Sequence, residues 1–362
     1  MTYSPKYAIT NEMLKNVGTI DAAREVIDHA PLVPAWERRF RAEARAKIIH
    51  HGTHLEGNDL NLEEVEKILE PEGTNEPIKP VGRDRDIQEV INYRSVMDYI
   101  DSLESGQKDM SLPLTEHMLR EIHRLTVTDI LNPDEAGVYR TVKVVIRNTT
   151  SGEITFRPPP PTEVPFYMRE LFAWLNSADG RSIHPLIRAG VLHYELARIH
   201  PFTDGNGRTA RAMALLLLFL EGYQVKKFFA LEEYYDSHPE EYYTALQSVT
   251  ISEGNLTTWL EYFTLGIAIE FNRVKELVQK LSLDLRLKST IGGHQITLTD
   301  RQIKLVEYLE KHGTVGMGDA RDLLPDVSED TVLRDLRDLV KKNLITKRGN
   351  TKGAKYYLKN TS

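Results

Sequence analysis

The 362-residue sequence contains no cysteine. Disulfides, thiolate metal sites, a cysteine nucleophile and cysteine-ligated iron–sulfur clusters are therefore excluded, and a reducing compartment is compatible with the chain. Positive charge is not in excess: 46 Lys and Arg stand against 53 Asp and Glu, a net of −7. That excludes a wholly basic nucleic-acid binder but leaves room for a local basic patch. Long apolar runs are missing as well. The longest, Ala212–Leu220, falls far short of the roughly 20 residues that cross a bilayer and reads as a buried helix, so no membrane partner is expected. The opening MTYSPKYAITNEMLKN lacks the basic start, apolar stretch and small-residue cleavage site of a secretory signal, which makes the cytoplasm the expected compartment. No GxxxxGK(S/T) run and no kinase-type lysine with its catalytic loop occur, which disfavours P-loop and protein-kinase chemistry.

What is present is ordinary globular composition, 41% hydrophobic and 27% charged, over a length that suits about two domains. Up to about residue 290 most of the chain reads as helix. Leu60–Leu69, Asp86–Ile100, Leu114–Leu125, Val164–Asn176, Pro185–Ile199 and Thr209–Glu221 place apolar residues at spacings of three and four. One stretch differs. Tyr139–Arg147 and Ile154–Arg157 are β-rich and flank the polar turn Asn148–Glu153; four prolines, Pro158–Pro161, follow. This predicts a β-hairpin on an otherwise all-α domain.

A second unit is expected after the long helical pattern Leu265–Leu287 and the linker Thr290–Gln295. Thr299–Lys311, Met317–Leu323 and Ser328–Lys342 read as three short helices. Ile345–Arg348, Gly349–Gly353 and Ala354–Leu358 read as strand, turn and strand. That order predicts a winged helix-turn-helix with Ser328–Lys342 in the recognition position. From Arg334 to Lys359 nine basic residues (Lys352 among them) face two acids, Asp335 and Asp338, a local +7. Such a face can meet DNA phosphates or serve a protein-binding winged helix.

The chemistry concentrates in His200-Pro201-Phe202-Thr203-Asp204-Gly205-Asn206-Gly207-Arg208-Thr209-Ala210-Arg211. Pro201 ends one helix and the Gly-Asn-Gly run opens the next, whose N-terminal N–H groups and positive dipole end seat an anion. Arg208 and Arg211, three apart, can fork around a polyphosphate. Asp204 is the loop's carboxylate, a candidate ligand for the Mg²⁺ that accompanies a nucleoside triphosphate. His200 is the neutral group able to take a proton near pH 7.

This passage resembles the Fic (filamentation induced by cAMP) family signature HPFx(D/E)GN(G/K)RxxR at every defined position, and the resemblance extends from about Ile48 to Phe263. It implies His200 as catalytic base, Asp204 as metal ligand and Asn206 as the phosphate-contacting amide. Gly205 and Gly207 become the anion-hole glycines, and Arg208 and Arg211 the nucleotide-phosphate arginines. The hairpin 139–157 becomes a flap against which a target segment pairs. Glu241-Tyr242-Tyr243-Thr244-Ala245-Leu246 looks like the family's YYxxL segment, whose tyrosines line the adenine pocket. Gly52-Thr53-His54-Leu55-Glu56-Gly57-Asn58 resembles the inhibitory motif (S/T)xxxE(G/N), with Glu56 as the inhibitory carboxylate. Gly52 departs from it, standing where the pattern has Ser or Thr.

The expected fold is mainly α: a helical Fic core with a β-hairpin flap and a C-terminal winged helix-turn-helix domain. The expected division is 1–110 as an N-terminal helical region containing the inhibitory motif 53–58, 111–265 as the Fic core, 266–295 as a linker helix and 296–362 as the winged helix. The resemblance implies AMP transfer from ATP to a Ser, Thr or Tyr hydroxyl of a target protein or of the chain itself, with Mg²⁺. Removal of AMP, transfer of another phosphate-bearing group, a nucleotide-sensing DNA-binding regulator and a toxin-like module held inactive by its own glutamate remain open. The helix Leu265–Leu287 could pack against a second copy in a homodimer.

Overall fold

The computed structural model describes residues 3–30, 34–69, 82–105, 113–147, 154–290, 298–325, 327–342, 344–349 and 354–359. Its chain divides into two compact units, residues 1–29 with 34–275 and residues 30–33 with 276–362. The first contains α1 (Asn11–His29), α2 (Pro34–His54), α3 (Leu62–Leu69), α4 (Asp84–Ser105), α5 (Glu116–Thr126), β1 (Ile146–Arg147), β2 (Ile154–Phe156), α6 (Val164–Asn176), α7 (Ala178–Ser182), α8 (Pro185–Ile199), α9 (Asn206–Leu220), α10 (Leu231–Ser237) and α11 (Pro239–Ile251). A long helix, α12 (Thr257–Thr290), begins in this unit and ends in the second. No helix among the described residues is long and apolar enough to cross a membrane.

The centre of the first unit is the pair α8 and α9. Both are buried nearly all round, from Leu186 to Leu196 and from Arg208 to Phe219, as expected of helices apolar on every face. Pro185 opens α8 at a position whose N–H has no intrahelical acceptor, and His184 caps it, its Nδ1 accepting from the Leu186 N–H. Helix α9 starts at Asn206, three residues before the periodicity predicts. Gly205 adopts a left-handed φ of 74°, so the chain turns into the helix there. The signature residues Asn206, Gly207 and Arg208 therefore form the first turn of α9.

The expected hairpin exists but is much shorter than its β-rich composition predicts. Its strands are Ile146–Arg147 and Ile154–Phe156, antiparallel, with Ile146 opposite Phe156 and Arg147 opposite Ile154. Tyr139–Val145 does not join the ladder. Arg140 binds this stretch back to the core instead, its N–H donating to the Pro201 carbonyl and its guanidinium to that of Val142. The predicted turn Asn148–Glu153 lies outside the described residues. So do the end of the linker beyond Thr290 and the turn residues 350–353, which include Lys352.

In the second unit α13 (Asp300–His312), α14 (Met317–Leu323) and α15 (Glu329–Lys341) precede β3 (Ile345–Arg348) and β4 (Lys355–Leu358). The strands pair antiparallel from Ile345–Leu358 to Arg348–Lys355, and Val315 bridges Tyr356 through two backbone hydrogen bonds. Leu305, Leu309, Val332, Leu336, Leu339 and Ile345 fill the core. Thr299 and Gln302 form a capping box at α13, and the Ser328 hydroxyl accepts from the Thr331 N–H at α15. This is the winged helix-turn-helix that the sequence predicts.

Candidate active site

His200 is the residue after α8 and sits in the left-handed region at φ 51°, ψ 61°. Its Nδ1 lies 3.2 Å from the Ala197 carbonyl. A carbonyl accepts only, so Nδ1 carries the proton and Nε2 keeps its lone pair. Burial holds the imidazole pKa below its usual value, against the opposing pull of the Ala197 carbonyl and Glu56. The histidine is thus a neutral base, lining a cleft with Gly207, Arg211, Tyr242, Tyr243 and Glu56 and, from both strands of the hairpin, Ile146 and Phe156.

Asn206 closes the loop on itself. Its side-chain amide accepts from the Phe202 N–H and donates to the Phe202 carbonyl, both at 2.9 Å. What the first turn of α9 offers an anion is its backbone: the N–H groups of Asn206, Gly207 and Arg208 have no acceptor within the helix. Gly205 could be no other residue without strain, since a Cβ there would lie 2.8 Å from Val127 Cγ1. Arg208 and Arg211 are 2% and 3% exposed. Arg208 Nε and Nη1 and Arg211 Nε have no hydrogen-bond acceptor among the described residues; Nη1 lies 3.2 Å from Glu89 Oε1 without hydrogen-bond alignment. Buried donors left unpaired are rare, and here they belong to the first two turns of α9.

Asp204 is ionised. Burial raises its pKa, but the Gly205 N–H, Arg208 and Arg85 together pull it below the usual carboxylate range. Oδ1 accepts from the Gly205 N–H at 2.6 Å and Oδ2 from Arg85 at 2.8 Å. No cluster of three or more His, Asp or Glu among the described residues could cage a metal ion. A single carboxylate suits Mg²⁺ that arrives already held by phosphate oxygens, the usual arrangement for that ion.

Glu56 stands in the turn after α2, and its Oε1 is 2.9 Å from Arg211 Nη1. Two glycines make that approach possible. A Cβ on Gly207 would collide with the Glu56 carboxylate, and a Cβ on Gly52 would lie 2.5 Å from the Tyr93 ring. The Gly52 carbonyl also accepts from Arg211 Nη2 at 2.8 Å. Gly57 turns the chain at φ 92°, and buried Asn58 donates to the Asp86 carbonyl and to Glu89 Oε2. The end of α2 is fastened to α10, with His51 and His54 Nδ1 2.7 and 2.8 Å from Asp236.

Tyr242 and Tyr243 differ. Tyr242 is buried and its hydroxyl pairs with His193 Nε2 at 2.9 Å, whereas Tyr243 is 43% exposed at the rim. Several residues near the site carried no signal in the sequence: Arg85, Glu89, His123, Arg140 and His193. His123 stacks on Phe202 with ring centroids 3.6 Å apart, its Nε2 donating to the Asp204 carbonyl and its Nδ1 accepting from the Gly137 N–H.

Residues 113–218 match the family model of the Fic/DOC family, and residues 301–353 that of the DeoR-like helix-turn-helix domain. The chain carries a Fic domain. A Fic family protein of Desulfovibrio desulfuricans has the same fold over 99% of both chains, at TM-score 0.64 and 23% identity. Fic-1 of Caenorhabditis elegans is similar over 74% of this chain and 73% of that one, at TM-score 0.59 and 26% identity. The protein adenylyltransferase Fic of Culex quinquefasciatus is 29% identical over 68% of this chain. The chain spans about half the length or less of the first such curated relatives, 45% in the Culex protein.

Proposed function

We propose that this protein is a protein adenylyltransferase that moves AMP from ATP to a Ser, Thr or Tyr hydroxyl and is restrained by Glu56. The observation that carries the reading is the neutral His200 lining the same cleft as Gly207 and Arg211 at the start of α9. His200 Nε2 accepts the hydroxyl proton as the oxygen bonds to the α-phosphorus. The bond from that phosphorus to the bridging oxygen breaks, and pyrophosphate leaves. The N–H groups of Asn206 and Gly207 hold the charge that develops, with the unpaired donors of Arg208 and Arg211 on the phosphate chain. Asp204 would hold Mg²⁺, which offsets charge on the leaving pyrophosphate. Tyr242 and Tyr243 bound the space left for adenine. In this reading 111–265 is the catalytic core, 1–110 contributes the restraint, 266–295 connects and 296–362 is the winged helix.

The test is to incubate the purified chain with Mg²⁺ and labelled ATP, CTP, GTP and UTP, then follow label on added proteins and on the chain itself. Label from ATP on protein supports the reading; none, from wild type or Glu56→Gly, overturns it. Release of AMP from a modified protein would move the site to the reverse reaction.

A second reading, a nucleotide-sensing DNA-binding regulator, is favoured by one observation. Arg334, Arg337, Lys341, Lys347, Arg348 and Lys355 are exposed, while Asp335 pairs with Arg301 and Asp338 with Lys342. The full chain should then bind duplex DNA with a log–log salt slope of about −0.9 per phosphate contact. Leu265 and Ile269, exposed on α12, support packing against a second copy, which sedimentation tests.

A further inference from the structure

The C-terminal end of α8 has carbonyls with no intrahelical donor, and it ends on a residue in a left-handed conformation that strains any residue but glycine. His200 is that residue. Among the described residues, a buried side chain from outside the helix meets the carbonyls around this end. Arg140 is 4% exposed. Its Nε donates to the His200 carbonyl at 2.7 Å, Nη1 to Val142 at 3.0 Å, and Nη2 to Pro159 at 2.6 Å and to Ile199 at 3.3 Å. Its backbone N–H donates to the Pro201 carbonyl at 2.9 Å. These contacts cover the three residues from Ile199 to Pro201, the start of the hairpin segment and the proline run after it.

We propose that Arg140 is the positioning residue for His200: its guanidinium holds the left-handed turn that aims the imidazole into the cleft, and ties the roots of the hairpin to that turn. The proposal rests on the reading of His200 as the transfer base. Its physical basis is the planar fork of five N–H donors, which can serve several carbonyls at once and does not lose its charge at any working pH. Lysine, a point charge on a flexible stem, cannot reproduce it. The fixed cation also acts on the imidazole through space. Burial is the main cause of the lowered His200 pKa; Arg140 lowers it further, while Glu56 and Asp204 act to raise it.

The test compares Arg140→Lys and Arg140→Met in the full-length Glu56→Gly protein, with added His200→Ala as the baseline. Misplacing a catalytic group by about an ångström costs on the order of 10²-fold, so both variants should lose about that much in kcat. KM for ATP should stay within about twofold. In the Met variant the acid limb of kcat/KM should move to higher pH, because the cation is gone; in the Lys variant it should stay near the parent position. Parent kcat in both variants overturns the proposal. A variant without the parent's cooperative melt also overturns it, since Arg140 would then serve the fold and not His200. The His200 ring nitrogen shifts, read by NMR in the parent and in Arg140→Met, separate the two readings: a folded variant that loses the Nδ1–H tautomer set by the Ala197 carbonyl has lost positioning. If Glu56→Gly shows no transfer, the transfer reading fails. The hold of Arg140 on the turn then stands if the His200 ring loses its Nδ1–H tautomer in a folded Arg140→Met protein, and falls if it does not.

Discussion

Replacing Glu56 by Gly should release the proposed activity, and the structure sets the size of the effect. Glu56 Oε1 is 2.9 Å from Arg211 Nη1, with the arginine side chain 1% exposed and the glutamate 32%. Hydrogen bonds to charged groups contribute about 1.5–3 kcal/mol net. One partner is a third open to solvent, so the lower half of that range, about 2 kcal/mol, is the apt figure. A γ-phosphate seeking Arg211 must displace the carboxylate, since both are anions suited to the same guanidinium fork. At about 1.4 kcal/mol per decade the restraint amounts to roughly 30-fold at low ATP. The Glu56→Gly protein should therefore label itself or a target roughly 10–100 times faster than wild type. Glu56→Gln, which loses the charge but keeps the shape, should fall between them.

The same substitution has an opposite effect on stability. Arg211 keeps the Gly52 carbonyl but loses its carboxylate, and leaving a buried guanidinium without this partly exposed partner costs about 2 kcal/mol on the same reckoning. Without nucleotide the variant should melt several degrees below wild type, and ATP should recover more of that loss than it adds to wild type. The assay pairs single-turnover labelling with thermal melts at matched ATP concentrations. Equal labelling rates and equal ATP-induced shifts in the two proteins would refute the competition.

His200→Ala, in the Glu56→Gly protein, should lose about 10²–10⁴-fold in transfer while its ATP-induced melting shift survives; undiminished labelling removes His200 from the mechanism. Acid should destabilise the fold. Burial lowers the pKa of His123 from 6.5 to about 4, so between those values the unfolded chain binds more protons than the folded one. Stability then falls as pH drops below about 6.5, by about 3 kcal/mol in all at pH 4 from this residue. Denaturant titrations at pH 7.5 and 5 measure it, and His123→Asn should remove this residue's share of the difference, leaving that of His50 and His193, whose pKa values burial also lowers. Gly52→Ala puts a Cβ against the fully buried Tyr93, so the ring or the end of α2 must shift, which should loosen the bond from Arg211 to this carbonyl. Lower stability with faster labelling is expected; lower stability with unchanged labelling would show that this carbonyl does not serve the restraint.

The residues legible in the sequence are those whose chemistry is local. His200 to Arg211 lie on one loop and the start of one helix, so spacing alone brings histidine, carboxylate and arginines into one segment. Their partners come from far along the chain. Arg85 reaches Asp204 across 119 residues and Arg140 reaches His200 across 60, and an isolated arginine in a polar or β-rich stretch looks like any surface arginine. Composition also misled. Val142–Ile146 is β-branched enough to read as strand, yet the Val142 carbonyl is taken by Arg140 and the ladder begins only at Ile146. Gly52 departs from the inhibitory pattern because of packing that no linear motif encodes. The Tyr93 ring fills the space a serine or threonine side chain would need, and the bare backbone that results hands its carbonyl to Arg211. Gly207 complements it from α9, since the Glu56 carboxylate occupies the place of its missing side chain. In the proposed reading restraint and catalysis then share one geometric requirement, a glycine on each side of Arg211. A change that widens either gap acts on both.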